Sequence, residues 1–312
     1  MDRKNVTVTS YANIALIKYW GKADHETMTP STSSISLTLE AMTTNTTLTA
    51  LPSQATKDVF YLDGELQNAS ETSKVARVLD RFRQPKEGFV KVVSVNKMPT
   101  AAGLSSSSSG LSALVKAANQ FYGKNLETKA LAQEAKFASG SSARSLYGPV
   151  TAWDKSTGEI FCVETPLKLA MIMLVITGDK KAISSREGMK RSKETADNFE
   201  EWVQQSDSDY QKMLSALAQG DFTQVGELTE RNTLAMHATT QASHPPFTYL
   251  TADTYAAMDR VKALRETGER CYFTMDAGPN VKVLCLEEDL EHLSQIFEKD
   301  YHIITSKTKE LR

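Results

Sequence analysis

Five stretches carry side chains that could bind anions or move a proton. The first is PTAAGLSSSSSG, Pro99 to Gly110. Five consecutive serines, Ser105 to Ser109, have the composition of a flexible tether. Their flanks argue otherwise. FVKVVSVN, ending at Asn96, reads as a strand, and the apolar spacing from Leu111 to Phe121 is helical, so a helix must begin near Ser105–Ser107. Strand, glycine loop and helix N-terminus present unpaired N–H groups and the positive end of a helix dipole, which suits phosphate. Gly103 lets the backbone approach a ligand closely. First-turn hydroxyls can cap the helix, touch phosphate oxygens or meet a magnesium ion. No Gly-Lys-Ser/Thr follows, so this is not a Walker-type loop. The residues alone fit a helix start with redundant serine caps equally well.

The other four stretches supply cations and one carboxylate. IKYWGK sets Lys18 and Lys22 around Tyr19, Trp20 and Gly21. That is an anion site or an aromatic anchor with flanking surface lysines. ASGSSAR ends a helix near Gly140, and the backbone through Ser139, Ser141, Ser142 and Ala143 to the Arg144 fork suits an oxyanion. A helix C-cap with one surface arginine has the same letters. SSREGM opens a helix at Ser185 and Arg186, as an anion contact or as simple capping by Ser184 or Ser185 with Glu187 in the first turn. TMDAGPNVK puts Asp276 at a strand end where Ala-Gly-Pro must turn, a favoured place for catalysis. A carboxylate there can orient an alcohol and accept its proton, or merely cap the turn. Lys74, on a helical pattern over 70–83, is a further cation or a solvated lysine. Asn96, at the end of its strand, is a candidate edge for a base or ribose. The five histidines have no metal spacing and are read as bystanders.

The elements that must hold these residues follow from periodicity. Residues 5–9 alternate as a strand, 33–50 read as two strands with threonine-rich faces, and Asp63-Gly64 marks a hairpin. Helices are expected at 70–83, 127–139, 185–205, 208–219, 221–238, 252–267 and from 287. Strands are expected at 88–96, in a hairpin over 148–164, at 168–177, before Asp276 and at 281–286. A strand-rich first half with inserted helices, then helices with a few strands, is an α+β order.

Composition bounds the classes. The chain has 312 residues, 40% hydrophobic and 24% charged, with a net charge of −2. No basic field favours nucleic acid or an anionic membrane. Cys162, Cys271 and Cys285 are sparse, odd in number and set in apolar runs, which fits reduced thiols and a cytoplasmic protein. The N-terminus lacks the apolar core of a signal peptide. The longest apolar run, Leu169 to Ile176, is too short to cross a bilayer as a helix.

PTAAGLSSSSSG resembles the phosphate-binding motif of the GHMP kinase superfamily, Pro-x-x-x-Gly-Leu-x-Ser-Ser. SYANIALIKYWGK (10–22), ASGSSAR (138–144), ISSREGM (183–189) and TMDAGPNVK (274–282) resemble one branch of it, the mevalonate diphosphate decarboxylases, in the family's order and across most of the chain. ANIALIKYWGK and MDAGPNVK are the specific motifs. The family usually mixes alanine into the loop after Gly-Leu. This chain is serine throughout, which leaves open which serine meets the γ-phosphate.

The resemblance implies an α+β, two-domain GHMP kinase fold. Residues 1–168 would form a ribosomal-protein-S5-like α+β domain with the ATP loop, and 169–312 a ferredoxin-like α/β sandwich with the aspartate loop. It implies ATP-dependent decarboxylation of (R)-mevalonate 5-diphosphate to isopentenyl diphosphate, ADP, phosphate and CO2, with Mg2+ on the ATP phosphates, in a cytoplasmic homodimer. No metal carboxylate can be named. By resemblance Asp276 meets the substrate 3-hydroxyl, with Lys18 close by, and Arg144 clasps the departing carboxylate. Tyr19, Trp20, Gly21, Lys22, Lys74, Ser139, Gly140, Ser141, Ser142, Ala143, Ser185 and Arg186 surround the substrate, with Lys22, Tyr19 and Arg186 on its diphosphate. Asn96, Ala102, Gly103, Leu104, Ser105, Ser106 and Ser107 surround ATP, with Ser106 the hydroxyl expected on its phosphates. A kinase of the same superfamily that stops at phosphorylation would share these motifs, and CO2 release separates the two. A non-catalytic sensor need not keep Lys18, Arg144 and Asp276 together.

Overall fold

Apolar runs and their period decide the elements seen in the computed structural model, which describes residues 4–24, 28–97, 106–177 and 182–311. The strands are β1 (Asn5–Ile17), β2 (Ser34–Ala50), β3 (Val59–Leu62), β4 (Glu65–Leu66), β5 (Val90–Asn96), β6 (Val150–Trp153), β7 (Ile160–Cys162), β8 (Leu169–Val175), β9 (Tyr272–Met275), β10 (Val281–Leu286) and β11 (His302–Lys307). The helices are α1 (Ala69–Leu79), α2 (Ser106–Phe121), α3 (Thr128–Ala138), α4 (Ser185–Thr195), α5 (Phe199–Gln219), α6 (Phe222–Gln241), α7 (Ala252–Glu266) and α8 (Leu290–Phe297).

The chain divides into two compact units. Among the described residues the first takes 4–13, 41–97 and 106–146. Its strands run β4–β3–β5–β2, with β1 also on β2. The β3–β5 pair is parallel, Val59 facing Lys91, and the β2–β5 pair antiparallel, Thr44 facing Asn96. Helix α2 packs between α1 and α3, burying Val75, Val78 and Leu79 of α1 and Leu131 and Ala135 of α3.

The second unit takes 14–24, 28–40, 147–177 and 182–311. The first part of β2 pairs with β6, Ser34 facing Trp153, and β6 with β7. Strands β11–β8–β10–β9 form an antiparallel sheet. Helices α7 and α8 cover one face through Ala257, Val261, Leu293 and Phe297, against Ile172, Phe273 and Val283. Helix α6 packs on β9, and its Gly226 lies so close to the Tyr272 ring that an added Cβ would stand 2.0 Å from it. Strands covered on both sides need continuous apolar runs. LAMIMLV in β8 is one, and Met171, Ile172 and Met173 are fully buried. VKVLCL in β10 is another, interrupted by a lysine.

Several expectations are corrected. The two strands expected in 33–50 are one, β2, because nothing in LEAMTT forms a turn and the strand changes partner from β6 to β5. The strand expected at 5–9 extends to Ile17, since residues 12–17 are all buried. The helix break expected near 206 lies instead at Ala196–Asn198, where Ala196 is extended. Ser206 and Asp209, residues that usually signal a cap, are buried within α5. Strand β11 has no counterpart among the expected elements, for it is half-exposed and its alternation is weak.

Gly226→Ala is expected to lower the calorimetric Tm, because a methyl group there overpacks the α6–β9 contact at a cost of about 1–3 kcal/mol. In a Tyr272→Ala background the same Gly226→Ala change should cost less than it does in the wild type.

Candidate active site

In the second unit the site begins where β1 ends. The residues up to Ile17 are apolar and buried, and Lys18 follows them into the interior with its side chain 2% exposed. Its backbone N–H donates to Asn232 Oδ1 of α6 at 2.8 Å, and its carbonyl accepts from Thr32 Oγ1. Its Nζ donates to Asp276 Oδ1 at 2.9 Å and to the Ala15 carbonyl at 2.8 Å. Asp276 stands just past β9, where the Gly278 N–H donates to its carbonyl and closes the turn. Thr233 of α6 clamps the preceding residue, donating to the Met275 carbonyl and accepting from its N–H.

The other carboxylate oxygen, Oδ2, lies 3.5 Å from Lys282 Nζ, which also donates to the Asn280 carbonyl at 3.2 Å. Burial alone would raise the pKa of Asp276. The charges of Lys18 and Lys282 outweigh that and hold the carboxyl well below the usual range. The Asp276 side chain as a whole keeps 21% of its surface accessible. Burial pulls the pKa of the Lys282 ammonium down, and Asp276 opposes this.

His237 of α6 faces the same three groups and is fully buried in neutral form. Burial, then the Lys18 charge, push its pKa down to about 3, with Asp276 opposing and Lys282 adding to the fall. The Asp276 backbone, which accepts from the imidazole, also opposes the fall.

The segment after Lys18 divides its roles. Tyr19 is half-buried and stacks on Trp153 at 5.3 Å. Trp20 is a core anchor, donating from Nε1 to Thr239 Oγ1 at 3.0 Å and meeting Tyr249 edge-on. Gly21 has φ +98°, and a side chain there would strike Phe199. Lys22 is half-buried. Burial and the neighbouring Arg186 charge both lower its pKa, so the structure brings these two cations together. Lys193 donates to the carbonyls of Lys22 and Ala23. Ser184 caps α4 by accepting from the Glu187 N–H, which leaves Ser185 and Arg186 in the first turn. Gly188 lets α4 approach Tyr249 and Trp20. Several positive charges at one helix N-terminus fit a polyanion.

In the first unit, Arg144 is 2% exposed in a short 3-10 turn, so it is not a surface arginine. Its Nη2 donates to Asn13 Oδ1 at 3.3 Å, and Asn13 Nδ2 donates to the Ser141 carbonyl and to Ser145 Oγ. Ser139 ends α3 in extended conformation, and Ser142 Oγ donates to the Ala135 and Ser139 carbonyls. Ser139 Oγ and Ser141 Oγ share a 3.2 Å contact, while Gly140 and Ala143 are buried.

The serine run splits. Ser106 opens α2 as expected, and Ser107 is exposed. Ser108 Oγ accepts from the Asn13 N–H and Ser109 Oγ pairs with Thr44 Oγ1, so both are committed to packing. Ala102, Gly103, Leu104 and Ser105 lie outside the described residues. Asn96 Oδ1 accepts from Thr44 Oγ1, while its backbone N–H and its amide donate to Asp63. Lys74 stands exposed on α1, paired with Glu71 at 2.5 Å.

Sequence reasoning passed over Asn13, Asn232, Thr233, His237 and Lys282. The available signals were a lysine inside the apolar run VKVLCL and polar residues in RNTLAMHATTQ recurring at helical spacing. Among the described residues no group of three His, Cys, Asp or Glu side chains could hold a metal ion, and no helix is long and apolar enough to cross a membrane.

Comparisons with known proteins bear on the whole chain. Residues 10–163 match the family model of the diphosphomevalonate decarboxylase-like N-terminal domain, and residues 171–312 that of the mevalonate 5-diphosphate decarboxylase C-terminal domain. The solved mevalonate pyrophosphate decarboxylase of Streptococcus pyogenes is 61% identical over 100% of this chain and 99% of that one, with a TM-score of 0.96. A solved complex with MVAPP, AMPPCP and magnesium is 40% identical over 99% of this chain and 98% of that one, with a TM-score of 0.92. The curated diphosphomevalonate decarboxylase of Candida albicans is 31% identical, covering 97% of this chain and 91% of its own length. The expected two-domain α+β GHMP kinase fold is therefore the fold of this chain.

The buried neutral imidazole has a measurable consequence. Below about pH 6.5 the unfolded chain takes up a proton at residue 237 that the folded chain refuses until about pH 3. Stability therefore drops as pH falls through this window, by up to about 1.4 kcal/mol per pH unit. Urea unfolding between pH 6.5 and 4 should show the slope, and His237→Leu should lack that component.

Proposed function

The chain belongs to the diphosphomevalonate decarboxylase family, and on that premise we propose how its own residues share the work. The reaction is the ATP-dependent decarboxylation of (R)-mevalonate 5-diphosphate to isopentenyl diphosphate, ADP, phosphate and CO2. ATP is the co-substrate and Mg2+ its companion.

The observation that carries the residue roles is the buried Lys18–Asp276 pair. A carboxylate held this acidic is a weak base toward a free tertiary alcohol. Its first task is to orient the 3-hydroxyl toward the γ-phosphorus. The proton passes to it only as the oxygen gives electron density to phosphorus. Lys18 keeps the carboxylate ionised and in place. Loss of the 3-phosphate then develops positive charge at C3, and departure of the adjacent carboxylate as CO2 supplies the electron pair of the alkene. Arg144, steadied by Asn13, holds that carboxylate with the help of Ser139, Gly140, Ser141, Ser142 and Ala143. Lys22, Arg186 and the Ser185 end of α4 take the diphosphate, with Tyr19, Trp20 and Gly21 shaping that segment and Lys74 a further cation for it.

The N-terminus of α2 and its first serines, Ser106 and Ser107, receive the ATP phosphates, together with Ala102, Gly103, Leu104 and Ser105. Asn96 serves the nucleoside. Mg2+ on the ATP phosphates would neutralise their charge, and the α2 N–H groups and the Ser106 and Ser107 segment would hold those phosphates. A division of labour at 168/169 is part of the proposal, supported by family models that end at 163 and resume at 171. So are a cytoplasmic location, supported by three free cysteines of which Cys271 and Cys285 are buried, and a homodimer, supported by the family resemblance.

With ATP, magnesium and substrate labelled at C1, CO2 and ADP should be released in equal amounts. ADP without CO2 would mean a kinase that stops at phosphorylation. Asp276→Ala should lower kcat by about 10²- to 10⁴-fold with ATP binding retained, and wild-type turnover would remove Asp276 from the mechanism.

A further inference from the structure

The roles assigned above leave the buried charge of Lys282, on β10, unused. We propose, resting on the reading of Asp276 just given, that Lys282 is a positioning residue for the reaction: it holds the second oxygen of Asp276 so that the reactive carboxylate is fixed between two ammonium groups.

The observations lie on one strand. Alternate residues of β10, Val281, Val283 and Cys285, face α7 and α8 in the apolar core. Lys282 points to the opposite face, paired in register with Met173 of β8 and Thr274 of β9, and is fully buried. An unbranched apolar side chain such as methionine would fill this place without removing a charge from water, so packing gives no reason for a lysine. What the lysine reaches is specific. Its Nζ lies 3.5 Å from Asp276 Oδ2 and 3.2 Å from the Asn280 carbonyl, while Lys18 occupies Oδ1. The Asn280 side chain accepts from the N–H groups of Ile176 and Thr177, which ties the 276–282 turn to the end of β8.

Among the described residues, the titratable groups that face this carboxylate include Lys18 after β1, Lys282 on β10 and His237 on α6, and the last is neutral. Two ammonium groups and one carboxylate leave a net positive centre. Both carboxylate oxygens then have a cation that fixes their plane, and the accessible edge is left to meet the substrate hydroxyl.

The test is the pH profile of Lys282→Met in the full-length enzyme. Removing one cation lets Asp276 take a proton at higher pH, so the acid limb of kcat should move up by about one to three pH units. Loss of alignment should lower kcat by about 10- to 100-fold while the KM for mevalonate 5-diphosphate stays within a factor of about two. Lys282→Arg should restore the limb. A fall in kcat with the limb unmoved would reduce Lys282 to a structural role, and unchanged kcat would also overturn the proposal. Should Lys282→Met fail to fold, carboxyl 13C NMR of the aspartate-labelled wild-type enzyme and of Lys282→Gln decides, with the Asp276 signal assigned through Asp276→Asn. That carboxyl should stay ionised below the ordinary aspartate range in the wild type and take its proton at higher pH in Lys282→Gln, and coinciding titrations would overturn the inference. Asp276→Ala keeps the two failures apart. If it turns over normally, the Asp276 reading falls. If it is dead while Lys282→Met behaves as wild type, only the Lys282 role falls.

Discussion

An ammonium group taken out of water has to be matched by a partner of opposite charge and by hydrogen-bond acceptors, and Lys18 imposes that requirement on the larger unit. The end of β1 delivers it, the turn after β9 supplies the carboxylate, the Ala15 carbonyl takes a second N–H, and Asn232 of α6 fixes the backbone. Without the carboxylate, a charge would be stranded in an apolar interior. Lys282 adds a second charge to the same place, so the carboxylate is acidic because of its neighbours and in spite of its burial. Such an arrangement adds little to stability compared with an apolar core of similar volume. Its value lies in a fixed geometry for one reactive group.

The smaller unit solves a related problem with neutral groups. Arg144 is buried beside the Asn13 amide, which also holds the Ser141 carbonyl and Ser145 hydroxyl, while the Asn13 N–H donates to Ser108. One asparagine thus links the start of the serine helix to the turn that carries the arginine. The Asn13 amide oxygen accepts from the guanidinium and helps to orient it.

Much of this was legible because it is local. Caps, turns and apolar period are written within a few residues, so α2 starting at Ser106, the turn at Asp276 and the cap of α4 could be read directly. The partners could not. Lys18 and Asp276 stand 258 positions apart, and neither motif says that Lys282, in the strand after the Asp276 turn, points inward. That strand reads as core with one polar lapse, and only the sheet register shows that the lapse faces the carboxylate. Arg144 and Trp20 show the same limit. The letters allow a surface arginine at 144 and leave an anion site or an aromatic anchor open at IKYWGK, whereas tertiary packing buries Arg144 and anchors the Trp20 ring. The helix break expected at 206–207 falls inside α5, where Ser206 and Asp209 serve Asn232 and Arg231.

Helix α6 gathers these threads. Eleven of its twenty residues are buried, and from one helix Asn232 holds Lys18, Thr233 holds Met275, His237 faces the carboxylate and Thr239 holds Trp20. A helix buried to this extent has little freedom to open on its own, since exposing it would expose the core around it. The reactive geometry is therefore tied to the cooperative unfolding of its unit, and not to a loop that can melt separately. Heat should take activity and structure together, leaving no partly unfolded form that still turns over.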